Sequence, residues 1–242
     1  MTNTRQNTIA VYQQSDLSLI KQFAPDTVAH PRDVVVDPTV GKAFVSASGK
    51  PEVPVFETTS LEITDTVEIR SLQRRQTFSA ASLSLDAEGH HLYVASLSTS
   101  EVVTINTRTN EVERVLVVPG ARGTIDVSHD AETGRIFVVA QGSDNLVVLD
   151  AESGVVLADT PIGAGALNVV FDPVQRRAHV SSRGAGAIAV TDEDGTIIAN
   201  LGPAPSAHHV SLGKGGAVFA VDKSAGAAGE DNGSILCIRP RR

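Results

Sequence analysis

Residues 134–163 read GRIFVVAQGSDNLVVLDAESGVVLADTPIG. Three short runs rich in Val, Ile and Leu stand between clusters of Gly, Ser, Asp and Asn. That spacing specifies strands joined by tight turns, because β-branched side chains suit a pleated surface and the turn residues tolerate sharp backbone reversals. Immediately upstream, IDVSHDAETG adds another apolar strand ending in a turn, so one unit holds four strands in about 43 residues.

The unit recurs. GKAFVSAS, HHLYVASL, GRIFVVAQ, RAHVSSR and GAVFAVDK align, with Phe44, Tyr93, Phe137, His179 and Phe219 in one column at spacings of 49, 44, 42 and 40 residues. Ahead of each lies a first strand (DVVVDP, SLSLDAEG, IDVSHDAETG, NVVFDP, HHVSLGKGG), in which Asp37, Asp86, Asp130 and Asp172 share a turn-capping column. A third and a fourth strand follow, as in VVTINTRTN and EVERVLVVPG. Such a meander cannot bury both of its apolar faces alone; radial stacking of several copies does so, which is a β-propeller.

The predicted organisation of residues 1–242 is a single all-β propeller domain of four-stranded antiparallel blades. A partial blade covers 8–24, blades cover 29–70, 77–119, 121–163 and 164–202, and an incomplete last blade covers 204–239. That makes two strands, four blades of four and then three strands, 21 in all, or about five blades of an incomplete seven-bladed ring. The loosest stretch, AGAAGEDNG at 225–233, reads as a loop within the last blade.

Composition narrows the function classes. A net charge of −8 and only seven Phe and two Tyr argue against nucleic acid, which needs a basic surface and, for single strands, stacking aromatics. The cluster Arg239, Arg241 and Arg242 reads as a solvated tail. The single Cys237 allows neither an intrachain disulfide nor a cysteine zinc site, and reads as a small core residue. No stretch has the roughly 20 apolar residues that a membrane-spanning helix needs, and MTNTRQNTIA lacks the pattern of a signal peptide.

With these columns in place, the sequence resembles the YVTN family of β-propeller repeats, most closely in HHLYVASLSTSEVVTINTRTNEVERVLVVPG (90–120) and in residues 134–163. The name-giving Thr-Asn pair is replaced by Ser46-Ala47, Ala95-Ser96, Val139-Ala140, Ser181-Ser182 and Val221-Asp222. The resemblance implies a seven-bladed ring of a bacterial, periplasmic, secreted or cell-surface protein if the N-terminus is truncated; taken alone, the sequence implies a cytoplasmic one.

In a propeller the first strand of each blade starts beside the central channel, so equivalent residues converge there. The candidates in that column are Asp33, Ser82, Asp126, Asn168 and His208, with His30, Arg32, Arg122 and His209 close by. Such groups line a channel mouth that can hold a protein, a glycan or a small polar ligand. Alternatively, Asp33, Asp126, Asn168 and His208 could hold a divalent metal and polarise water in a lactonase-like hydrolase. No serine elbow or phosphate loop is found, and His90-His91 reads as a solvated turn. The expected protein is therefore a noncatalytic binding scaffold without a cofactor, engaging its partner at the loop end of the channel.

Overall fold

The computed structural model describes residues 1–223 and 233–239; the 225–232 part of the expected loop, Arg241 and Arg242 lie outside these. Among the described residues, 22 strands form six antiparallel sheets, each a meander of sequence neighbours. These are the blades of a β-propeller, six in number where the repeat count predicts about five of seven. The extra strand is β1, formed by Thr2–Asn3, upstream of the expected start at residue 8.

The chain divides into two compact units, Met1–Val117 and the part from Val118 onward. In the first unit, β1 (Thr2–Asn3), β2 (Thr8–Tyr12) and β3 (Leu19–Gln22) make the first blade. The second blade comprises β4 (Pro31–Asp37), β5 (Lys42–Ala47), β6 (Glu52–Glu57) and β7 (Ile63–Glu68). The third comprises β8 (Ala80–Asp86), β9 (His91–Ser96), β10 (Glu101–Asn106) and β11 (Glu111–Val117).

In the second unit, β12 (Thr124–Asp130), β13 (Arg135–Ala140), β14 (Asn145–Asp150) and β15 (Val156–Pro161) form the fourth blade. The fifth contains β16 (Ala166–Asp172), β17 (Arg177–Ser182), β18 (Ala187–Asp192) and β19 (Ile197–Leu201). The sixth contains β20 (Ala207–Leu212), β21 (Val218–Asp222) and β22 (Ser234–Ile238).

Burial follows the repeat. The second and third strands of the complete blades are buried along most of their length, as in β17 and β18 of the fifth blade, whose two faces are covered by the fourth and sixth blades. That explains their unbroken apolar runs, since alternation is lost when both faces are buried. Outer strands such as β7 and β15 are mostly exposed. Phe44 of the second blade packs with Leu83, Leu92 and Ile105 of the third in one cluster. Ile188, Val210 and Val218 join the fifth and sixth blades in another. The Phe137 and Phe171 rings stack at 4.7 Å between the fourth and fifth.

The expected aspartate caps are present. Asp37 accepts from the Thr39 amide at 2.9 Å, Asp86 from the Gly89 amide at 2.9 Å and Asp172 from the Val174 amide at 2.8 Å. A second capping column follows each third strand, where Glu57, Asn106, Asp150 and Asp192 accept from amides two or three residues ahead. The bonds from Thr59 and Ser60 hold the Glu57 carboxyl down at about 2. Cys237, read as a core residue, is exposed on β22.

Candidate functional site at the start of the first strands

Each first strand opens with a bulge. Pairing steps from Ala80↔Ser96 to Leu83↔Val94, from Thr124↔Ala140 to Asp126↔Val139, from Ala166↔Ser182 to Asn168↔Ser181, and from Ala207↔Asp222 to His209↔Val221. A bulge re-aims the next side chain. The register puts Asp33, Ser82, Asp126, Asn168 and His209 in one column, so His209 takes the place expected for His208. His208 falls on the bulged position shared with Arg32, Ala81, Ile125 and Leu167. Two adjacent histidines made the slip of one residue invisible in the sequence, because the bulge leaves no compositional mark.

The column ties one blade to the next. In the first unit, Asp33 Oδ2 accepts from the Leu83 amide at 2.9 Å while its Oδ1 accepts from the Val34 amide at 2.8 Å. Beside it, the Ser46 hydroxyl accepts from the Asp33 amide and donates to the Ala81 carbonyl, both at 2.9 Å. Ser82 is half-buried in the same column.

In the second unit, the buried Asp126 Oδ2 accepts from the Val169 amide at 2.7 Å and from the Asn168 side-chain amide. Asn168 Oδ1 in turn accepts from the Val210 amide at 2.7 Å. Asp126 and Asn168 thus form a relay through the fourth, fifth and sixth blades. Satisfying buried backbone donors that no strand ladder reaches is worth about 1 kcal/mol per bond, and leaving them unmet costs more.

The flanking candidates are different in kind. His30, Arg32, Arg122 and His209 are exposed, and His208 is half-buried. Their backbones, by contrast, are held in place. The His30 carbonyl accepts from the Ser48 amide at 3.1 Å, the Arg32 carbonyl from the Thr2 hydroxyl at 2.9 Å and the Arg122 carbonyl from the Gly142 amide at 2.8 Å. A Cβ on Gly142 would stand 2.8 Å from that same Arg122 carbonyl, so only glycine lets the two loops approach. Among the described residues, no three His, Cys, Asp or Glu side chains gather closely enough to hold a metal ion.

No protein-family model matches the chain. Two curated proteins, both named "Uncharacterized protein YncE", are similar to it over 166 residues: 26% identical in Salmonella typhimurium strain LT2 and 25% in Salmonella typhi. The alignment covers 67% of this chain and 45% of each of theirs, so it spans less than half the length of these relatives. Among solved structures, Kuenenia stuttgartiensis hydrazine synthase superposes with a TM-score of 0.66 at 13% identity, over 87% of this chain and 59% of that one. A nidogen/laminin complex gives a TM-score of 0.68 at 14% identity, over 90% of this chain and 83% of that one. Such likenesses establish the propeller fold and nothing about activity. No helix among the described residues is long and apolar enough to cross a membrane.

Sequence reading missed a further set of ties at the opposite end of the blades. Lys42 Nζ donates to the Thr107 carbonyl at 2.9 Å and the Arg108 carbonyl at 2.8 Å, and Arg135 Nη1 to the Glu193 carbonyl at 2.8 Å. Arg176 pairs with the buried Asp130, with Glu132 at 3.2 Å and with Glu193 at 2.6 Å. Burial alone would raise the Asp130 carboxyl, but bonds from Arg176 and Thr133 outweigh it and hold it below the usual carboxylate range. The available signal was a basic or imidazole residue opening the second strand of each complete blade: Lys42, His91, Arg135 and Arg177.

Proposed function

We propose that the chain is a noncatalytic β-propeller scaffold that engages a polar partner, a protein, a glycan or a small anionic ligand, through the loops at the end where the first strands begin. The observation that carries this reading is the division of labour at that end. Asp33, Asp126 and Asn168 spend their side chains on holding blades together, while His30, Arg32 and Arg122 stand exposed on backbones pinned by hydrogen bonds. Loops on a rigid support present binding groups without a large ordering cost. Arg74 and Arg75, exposed in the loop before β8, add positive charge at the same end of the first unit.

A sulfated glycan fragment serves as an anionic probe, titrated against the purified chain at increasing salt. Salt-sensitive binding that falls about tenfold when Arg32 and Arg74 are changed to Glu supports the reading. Binding indifferent to both substitutions overturns this placement of the surface. A divalent ion that raises the Tm, with the rise abolished by Asp126→Ala, would replace the scaffold with a metal-dependent chemistry.

A further inference from the structure

Residues 69–79, IRSLQRRQTFS, connect β7 to β8, where residues 162–165 and 202–206 suffice ahead of β16 and β20. The added length appears in the 49-residue step from Phe44 to Tyr93 in the aromatic column. Both ends of the segment are held in the core: Ile69 is 3% exposed and Phe78 1%, in the cluster that contains Phe44. Between them Arg70, Leu72, Arg74 and Arg75 are all exposed, Leu72 to 65%. The segment carries three arginines and no carboxylate, while residues 162–165 and 202–206 carry no charge.

The backbone of this loop is held by the third blade. Glu101, fully buried at the start of β10, accepts from the Leu72 amide at 2.9 Å. The Gln73 side chain donates to the Thr99 carbonyl, the Gln73 amide to the Ser71 hydroxyl at 2.9 Å and the Ser98 hydroxyl to the Thr77 carbonyl at 2.6 Å. The Ser79 hydroxyl adds a bond to the Ser48 carbonyl of the second blade at 2.8 Å. A buried carboxylate thus supports the backbone of an exposed leucine. Arg75 adopts a left-handed φ of 62°, which glycine or asparagine takes with less strain. Turning the chain requires neither an outward leucine nor an arginine in that conformation.

At this end of the unit Arg32, Arg70, Arg74 and Arg75 are exposed against the carboxylates of Asp26 and Glu68, in a chain whose total charge is −8. An apolar side chain set among cations on a held backbone matches an anionic bilayer surface. There the leucine enters the acyl boundary and the guanidinium groups meet lipid phosphates. A purely ionic partner would satisfy the arginines but leave Leu72 in water.

We propose that residues 70–75 form a docking loop that seats this end of the first unit on an anionic membrane surface, with Leu72 inserted and Arg70, Arg74 and Arg75 paired with headgroup phosphates. Because the backbone is already ordered, docking loses little loop entropy. The loop shares its end of the unit with the binding surface proposed above but acts through Leu72, which that surface does not use, so the two tests fail separately.

The test is co-sedimentation of the purified chain with phosphatidylcholine vesicles, with and without phosphatidylglycerol. Binding is expected only with phosphatidylglycerol, weaker at higher salt, about tenfold weaker for Leu72→Ser and about fivefold weaker for Arg74→Gln. The chain contains no Trp, so Leu72→Trp supplies a single reporter whose emission should shift to the blue on adding these vesicles. Leu72 and Arg74 are exposed, and a cooperative melt verifies that each variant is folded. Absence of vesicle binding, binding indifferent to Leu72→Ser, or an unshifted emission from Leu72→Trp overturns the proposal. Displacement by soluble glycerol phosphate also overturns it, by reducing the loop to a phosphate site. Equal binding to polyglutamate, weakened to the same degree by Leu72→Ser, overturns it by making the occupant an acidic protein. Vesicle binding that depends on Leu72 in a chain that fails to bind the sulfated glycan supports the loop and removes only the scaffold reading.

Discussion

Arg176 shows how one residue can serve three turns. It sits in the turn between β16 and β17, reaches the carboxylates of Asp130, Glu132 and Glu193, and lies 5.1 Å from the Phe171 ring centroid. Because Asp130 is 2% exposed, losing its partner strands a buried charge. Arg176→Met should cost about 3 kcal/mol and lower the Tm by roughly 6–12 °C, and adding Asp130→Asn should restore part of the loss in thermal melts. His179 presents the opposite problem. It stands in the aromatic column, is 5% exposed, and its Nδ1 has no hydrogen-bond partner. Burial pushes the imidazole below its ordinary value of 6.5, so the unfolded chain binds the proton more readily. Stability is therefore full above about pH 6.5, falls as the pH drops below it, and levels off beneath the folded-state value. In His179→Phe that slope should vanish from melts taken between pH 7.5 and 5. The column that holds His179 could be read from spacing, but the partners of Arg176 could not, because Asp130, Glu132 and Glu193 come from other strands and turns.

The elements repeat not only their strands but also their backbone strain. The turn between third and fourth strands needs a left-handed residue in every complete blade: Leu61 at φ 55°, Asn110 at 61°, Gly154 at 71° and Gly195 at 81°. Leu17 holds the matching position in the first blade at φ 59° and is 75% exposed. A leucine there carries a left-handed penalty that asparagine largely avoids. Leu17→Asn should thus stabilise by about 1 kcal/mol, read as an increase of a few degrees in Tm. Between elements, Gly142 lets the β13–β14 loop touch the Arg122 carbonyl. Gly142→Ala would place a methyl 2.8 Å from that oxygen and should cost about 1–3 kcal/mol in denaturant unfolding. Strand and turn positions were legible because composition marks them, whereas the first-strand bulges were not, which is why His208 and His209 exchanged places in the predicted column.

At the scale of the whole molecule, blades are joined by carboxylates, and that sets the acid response. Burial opposes ionisation of Asp37 and Asp130, yet hydrogen bonds from Thr39 and Thr107, and from Arg176 and Thr133, leave both below the ordinary 3.8. Depressed carboxylates contribute stability that is fully present above the unfolded value and is lost as the pH falls through the folded one. Melts should change little between pH 7 and 5 on this account and fall steeply below about pH 4, with Asp37→Asn flattening part of the fall.

The sequence by itself determined the blade. Apolar runs with turn residues at a near-constant period can bury both faces only as stacked four-stranded sheets, so the fold class, the aromatic column and the aspartate caps followed from residue order. Only the tertiary structure showed that Thr2 and Asn3 add a further strand to the first blade, because a strand of two residues carries no periodic signal. It also decided what the polar column does. Whether Asp126 faces solvent or the Val169 amide depends on the stagger of neighbouring first strands, a distance in space that no spacing along the chain encodes.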